Sequence, residues 1–178
     1  GGGAGMVLRA DVLEAALNDA RAGAKGVMPI LYLSPRGKPM NQAMMRGLAA
    51  NTDGVTLLCG RFEGVDERIL EHFGIQEISL GDFVMTGGEL AAQALIDATV
   101  RLLPGVLGNA ASAIEESSSS GLLKPPQYTK PSLWNDRPIP EVLQSGNHAK
   151  IEQWRRDMSE KITRQRRPDL WDKLQTKK

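Results

Sequence analysis

Carboxylates set beside glycines are the residues of this chain best suited to chemistry. Glu63 and Asp66 lie in Gly60-Arg61-Phe62-Glu63-Gly64-Val65-Asp66-Glu67-Arg68. A carboxylate just after a strand can contact a ligand, a metal ion or an arginine. It can equally cap the next helix, the role expected of Asp66. Thr86-Gly87-Gly88-Glu89 opens a long apolar stretch. It reads as a capping box, with Thr86 as cap and Glu89 answering three residues later. The same two glycines would also let a ligand approach the backbone closely. Glu115 and Glu116 stand in a polar segment, either as solvated charges or as a general base on a loop that orders over substrate. Arg101 sits near the end of the apolar stretch, where a helix dipole favours a cation or a carboxylate can pair with it.

Several other chemistries lack their residues. One cysteine, Cys59, allows no intramolecular disulfide, and with two histidines it leaves too few soft ligands for a zinc site. Cys59 reads as a small buried hydrophobe. His72 and His148 have no neighbour in sequence that would make either a ligand or a base. The chain has no Walker A motif, which argues against an ATPase. Gly1-Gly2-Gly3-Ala4-Gly5 is only superficially like a dinucleotide loop, which needs a strand before it and an acidic residue at the end of the next strand. Apolar residues at 41% and charged residues at 24% fit a soluble globular protein. No apolar run is long enough to cross a membrane, and no basic-then-apolar leader opens the sequence. A reducing cytoplasm is the expected compartment. The net charge of +1 is uneven: residues 150–178 hold ten Lys and Arg against five Asp and Glu, which leaves −4 on the rest. An anionic partner at the C-terminal end would explain that balance, as would a solvated helix face.

Residues of this kind act only where secondary structure holds them. Residues 11–22 read as a helix, with Val12, Ala15, Ala16 and Asp19 on one face, Asp11 as cap, and Gly23 and Gly26 as stops. Residues 30–33 form an apolar strand closed by the turn Ser34-Pro35-Arg36-Gly37. A helix over 41–50, a strand over 55–59, a helix over 65–73, a strand over 77–80 and a helix over 87–103 follow, the last closed by Pro104-Gly105. This alternation predicts an α/β domain with a largely parallel sheet, whose ligands bind at the carboxyl ends of its strands. The three strand ends all contain glycine. Residues 109–121 are polar and serine-rich and read as a flexible linker. A proline-rich passage leads to a basic helix over 148–164, with Ile151, Trp154, Met158 and Ile162 on one face, and to a short helix near Pro168. The expected organisation is an α/β domain over 1–108, a linker over 109–121 and a basic helical domain over 122–178.

Together the motifs are more specific than the pattern. Gly-Gly-Gly-Ala-Gly-Met (1–6), Tyr-Leu-Ser-Pro-Arg-Gly (32–37), Cys-Gly-Arg-Phe-Glu-Gly-Val-Asp-Glu-Arg (59–68), Ser-Leu-Gly-Asp-Phe-Val-Met-Thr-Gly-Gly-Glu-Leu (79–90) and Arg-Leu-Leu-Pro-Gly-Val-Leu-Gly (101–108) occur in order. Pro-Gln-Tyr-Thr-Lys-Pro (126–131), Ser-Gly-Asn-His (145–148) and Arg-Arg-Pro-Asp-Leu (166–170) follow. Over essentially its whole length the chain resembles the bacterial tRNA (guanine-N1)-methyltransferases of the SPOUT class. The resemblance implies a parallel sheet with a deep trefoil knot, a small helical C-terminal domain and a homodimer; the lack of a long apolar run adds the expectation of no membrane partner. It implies methyl transfer from S-adenosylmethionine to N1 of the guanosine at tRNA position 37, immediately 3′ of the anticodon.

Carried over position by position, the resemblance places the donor against Tyr32, Leu33, Ser34 and Pro35, then Gly60, then Leu80, Gly81, Asp82, Phe83, Val84, Met85, Gly87 and Gly88. It gives Arg101 the charge developing on O6, Glu116 the N1 proton, and Glu63 an association with Mg²⁺. The basic tail would contact the tRNA backbone. Three departures stand out. The family base is usually Asp rather than Glu. Ser117-Ser118-Ser119-Ser120 replaces a stretch that usually holds an aromatic and a second acid. The family carries roughly fifty residues, with the first strand of its sheet, before the first glycine motif, and this sequence starts at that motif. A catalytically impaired relative that only binds tRNA is the alternative expectation.

Overall fold

Alternating side chains on one strand sort the first half of the chain into two cores. The structure is a computed structural model that describes residues 5–23, 26, 28–51, 53–107 and 121–176. The central strand β1 (Ile30–Pro39) lies between β2 (Thr56–Cys59) and β3 (Gln76–Ser79), and both pairings are parallel. Successive residues of a strand face opposite sides. Ile30 and Tyr32 join Leu17 of α1 (Ala10–Arg21) and Ile69 and Leu70 of α3 (Glu67–Phe73) in one core. Leu31 and Leu33 join Met45 of α2 (Gln42–Ala50) and Ala91, Ala92 and Leu95 of α4 (Glu89–Val100) in the other. Helices therefore cover both faces, as an all-parallel sheet requires. Ile78 and Leu95 are 2% and 1% exposed, and full burial of such a side chain contributes about 1.5–3 kcal/mol.

Capping fixes where the helices begin. Asn41 accepts a hydrogen bond from Met44 N at 3.0 Å, and Asp66 accepts one from Arg68 N at 3.0 Å, as expected of Asp66. The Arg68 guanidinium also clasps Asp66 and, with that backbone bond, lowers its pKa from 3.8 to about 2. Two expected caps are corrected. Asp11 does not cap α1: the helix starts behind Arg9, whose guanidinium holds Asp11 within the first turn. Thr86 does not cap α4: the helix starts behind Gly88, which has helical angles and no side chain to offer. The capping box fails because Glu89 turns to Arg61 instead. Helix α4 also ends at Val100 rather than residue 103, and the chain continues through single turns to Leu103.

The chain divides into two compact units, Gly1–Ala110 and Ala111–Lys178. The second contains a two-stranded hairpin of β4 (Leu133–Trp134) and β5 (Arg137–Pro138). Asn135 and Asp136 close it with φ of 51° and 58°, the left-handed pair that a two-residue hairpin turn needs. Helices α5 (Glu141–Gln144), α6 (His148–Arg166) and α7 (Pro168–Gln175) follow. The Asn147 side chain caps α6, and Pro168 occupies the first turn of α7. The expected apolar face of α6 is only half-buried, whereas Ser159 and Thr163 are fully packed. Thr163 Oγ1 donates to Ser159 O at 2.6 Å and accepts from Leu123 N at 2.8 Å, so a buried hydroxyl anchors the incoming chain. The Arg164 guanidinium lies 4.5 Å from the centre of the Trp171 ring. Among the described residues no helix is long and apolar enough to cross a membrane.

Candidate functional site

Strand β1 meets β3 twice, and the first loop of the site is what lies between. Leu33 and Lys38 both pair with Ile78, so Ser34-Pro35-Arg36-Gly37 is looped out of the ladder. The expected turn is present, but the strand resumes beyond it to Pro39. Met40 N donates to Ser79 O at 2.8 Å and secures the far side. A Cβ at Gly37 would fall on the backbone of Glu77 and Ile78, so only glycine lets the loop return so close to β3. Ser34 is buried and its Oγ accepts from Arg36 N at 3.2 Å. The Arg36 guanidinium then reaches two carboxylates. It donates to both oxygens of Glu77 at 3.2 and 3.1 Å and to Glu67 at 2.9 Å.

The second loop, Gly60-Arg61-Phe62-Glu63-Gly64, follows β2. It rests on Tyr32: a Cβ at Gly60 would press on the tyrosine ring, and Gly64, at φ 101°, faces its hydroxyl. Burial, and next the charge of Glu77, push the Tyr32 hydroxyl above its usual pKa. Phe62 holds φ 58°, uncommon for a bulky residue, and its ring is exposed. Residues Met6 to Leu8 run beside this loop, with Glu63 N donating to Met6 O at 3.0 Å and Leu8 N to Gly64 O at 2.9 Å.

The third loop, Leu80 to Gly88, runs from β3 to α4. It is tied to the second through Gly88 N, which donates to Gly60 O at 3.2 Å, and through a bridge between Arg61 and Gly87. Arg61 also pairs with Glu89 at 2.8 Å. The first backbone N–H of the helix and then Arg61 lower the Glu89 pKa. Cys59, whose pKa is raised by burial and then by Glu89, packs under Gly88.

The three loops enclose a cleft of about 230 Å³ at the carboxyl ends of the strands. Twelve of the thirteen residues expected to hold a donor line it. The thirteenth, Asp82, is exposed on the third loop and is not part of the lining. Glu63 lies on the wall. Arg101 is the C-cap of α4, half-buried and outside the lining. Glu116 lies outside the described residues. The sequence reading missed Arg36, Arg61 and Thr86, all of which line the cleft. Arg36 and Arg61 had a signal, since each stands inside a glycine motif at a strand end. Thr86 was visible only as a helix cap. Leu33, Met85 and Ala91 give the cleft an apolar side, and the glycine loops leave its backbone approachable, an arrangement for a small amphiphilic ligand. Among the described residues no group of three or more His, Cys, Asp or Glu is placed to hold a metal ion.

The family model described as tRNA (Guanine-1)-methyltransferase TrmD matches residues 1–173. A tRNA (guanine-N(1)-)-methyltransferase of Ruegeria pomeroyi is 70% identical over 178 residues, all of this chain and 73% of that protein. Its counterpart in Roseobacter denitrificans is 64% identical over 171 residues, 96% of this chain and 70% of that protein. The one in Rhizobium etli is 52% identical over 178 residues, all of this chain and 75% of that protein. Matches of this extent, on a chain whose three motif loops build one cleft, leave one assignment: the chain belongs to the tRNA (guanine-1)-methyltransferase family.

Proposed function

We propose that this chain methylates N1 of the guanosine at tRNA position 37, with S-adenosylmethionine as donor held in the three-loop cleft. The observation that carries the reading is the convergence of the three strand-end motifs on one cavity. S-adenosylmethionine supplies an electrophilic methyl group on a sulfonium sulfur. The residues present fit such a molecule. Leu33, Met85 and Ala91 would take its apolar surface, and the backbone amides and carbonyls of the glycine loops would recognise its polar edges.

N1 of guanine carries a proton and is a poor nucleophile until that proton leaves. Glu116 takes it, and the Arg101 guanidinium balances charge developing on O6. With the donor bound, N1 would take the methyl carbon as the carbon–sulfur bond breaks, and a neutral thioether would leave. Glu63 is the residue that would meet Mg²⁺. One carboxylate does not make a cage for that ion, and among the described residues no cluster of three or more His, Cys, Asp or Glu joins it. The remaining proposals rest on likeness to the SPOUT class: a homodimer, a deep trefoil knot in the N-terminal unit, and a cytoplasmic enzyme. The C-terminal unit, with Lys150, Arg155, Arg156 and Lys161 exposed on α6, would meet the tRNA backbone.

Replacing Glu116 tests the chemistry. Glu116→Ala is expected to lower methyl transfer to a tRNA transcript by at least ~100-fold, with donor binding by calorimetry retained. Full activity in that variant would remove Glu116 from the mechanism and leave Glu115 as the next base to test.

A further inference from the structure

The first loop of the cleft is closed at its base by the sheet but not at its tip. Ile78 pairs with both Leu33 and Lys38, which fixes the two ends of Ser34–Gly37 and leaves the excursion between them without ladder bonds. Such a segment moves unless a side chain holds it. Arg36 is that side chain. Its fork spans both oxygens of Glu77 on β3 and one oxygen of Glu67 at the start of α3. A bidentate arginine with a second carboxylate fixes direction as well as distance, which a single ion pair on a flexible stem does not.

We propose that Arg36 is a positioning residue for the methyl donor: its clamp on Glu77 and Glu67 holds Ser34 and Pro35 in the shape that lines the cleft. This rests on the donor-site reading above. The clamp contributes little to global stability. The Arg36 and Glu67 side chains are each 60% exposed, and ion pairs in that setting are screened. Its effect falls on the loop. Freeing the tip adds conformations that do not accept donor, so apparent affinity falls in proportion to the competent fraction.

The test is titration of S-adenosylmethionine into the full chain and its variants at low and high salt, beside steady-state kinetics and thermal unfolding. Arg36→Ala is expected to weaken donor binding by roughly three- to tenfold, with KM for donor rising more than kcat falls. Wild-type affinity is expected to drop with salt more steeply than that of Arg36→Ala. Glu77→Gln, which keeps the side-chain shape, is expected to weaken binding in the same direction. The pair Arg36→Glu with Glu77→Arg is expected to recover part of the loss. Unchanged affinity and salt profile in both Arg36→Ala and Glu77→Gln would overturn the clamp. A lowered melting temperature with an unchanged KM would overturn it too, because it assigns Arg36 to structure alone. Absence of binding by the folded wild-type chain would instead overturn the donor-site reading, and the clamp with it.

Discussion

The two units use side chains in opposite ways. In the first, the site is built from backbone, and side chains serve to place loops. Glycines 37, 60 and 88 permit close approach of main chain or of a neighbouring ring, and arginines 36 and 61 tie loops to carboxylates. In the second, helices are the frame, and polar side chains are spent inside it or displayed outside it. Thr163 is buried to join α6 to the segment at Leu123, while Lys150, Arg155, Arg156 and Lys161 stand in solvent. A small ligand recognised by main chain needs loops that cannot drift. A large polyanion recognised by charge needs only a stable surface on which to meet it. The contrast locates damage: backbone changes should harm the first unit's cleft, and loss of a buried hydroxyl should loosen the second unit alone.

Gly37→Ala should break the first unit most severely. Its methyl group would fall on the backbone of Glu77 and Ile78, which cannot move aside without opening the β1–β3 ladder. A loss on the order of 3 kcal/mol is expected by denaturant unfolding, together with loss of donor binding. A stable variant that still binds donor would show that the loop does not need its close return to β3. Thr163→Val should cost about 1–3 kcal/mol by leaving Leu123 N without its partner. Donor affinity should be unchanged, and a changed affinity would end the division of labour drawn here. The smallest effect is a pH dependence. The folded pKa of Asp66 lies below its ordinary 3.8, at about 2, so its contribution is complete above pH 4 and is lost as pH falls from 4 towards 2. Asp66→Asn should flatten the acid limb of the stability curve in that window. An identical acid limb in the variant would remove Asp66 as its source.

The sequence carried the first unit's plan because its cues are local. Apolar runs at Ile30, Val55 and Ile78 mark where the strands start within a residue or two, although β1 runs six residues past its expected end, and glycines near the strand ends mark the loops that became the cleft wall. The partners of Arg36 were invisible for the opposite reason. Glu77 comes next to it only when β1 and β3 pair, and Glu67 only when α3 packs against the sheet, which no local window reports. Thr86 misled because the Thr-x-x-Glu spacing matches a capping box in sequence, whereas the helix starts two residues later, behind Gly88, and Glu89 is bound to Arg61. In the second unit, Ser159 and Thr163 fall outside the apolar spacing that marks the buried face of the basic helix. Their burial follows from the segment packed over them, not from their own polarity. The hairpin at Leu133–Pro138 was overlooked beneath its prolines, although Asn135-Asp136 between Trp134 and Arg137 was a usable turn signal.

The order of strands has a consequence for how the cleft comes into being. Ile30 pairs with Thr56 and Leu31 with Gln76, both in parallel, so no two neighbouring strands can meet through a short hairpin. A ribosome must release most of the first unit before β3 can join the sheet. Until then the unpaired N–H and C=O groups along that edge of β1 stay open to other chains. Assembly at that edge is governed by long loop closures and is slow beside the local coiling of α6. The cleft at the strand ends is complete only once β3 has joined, so a newly made chain passes through an interval in which exposed strand decides its fate.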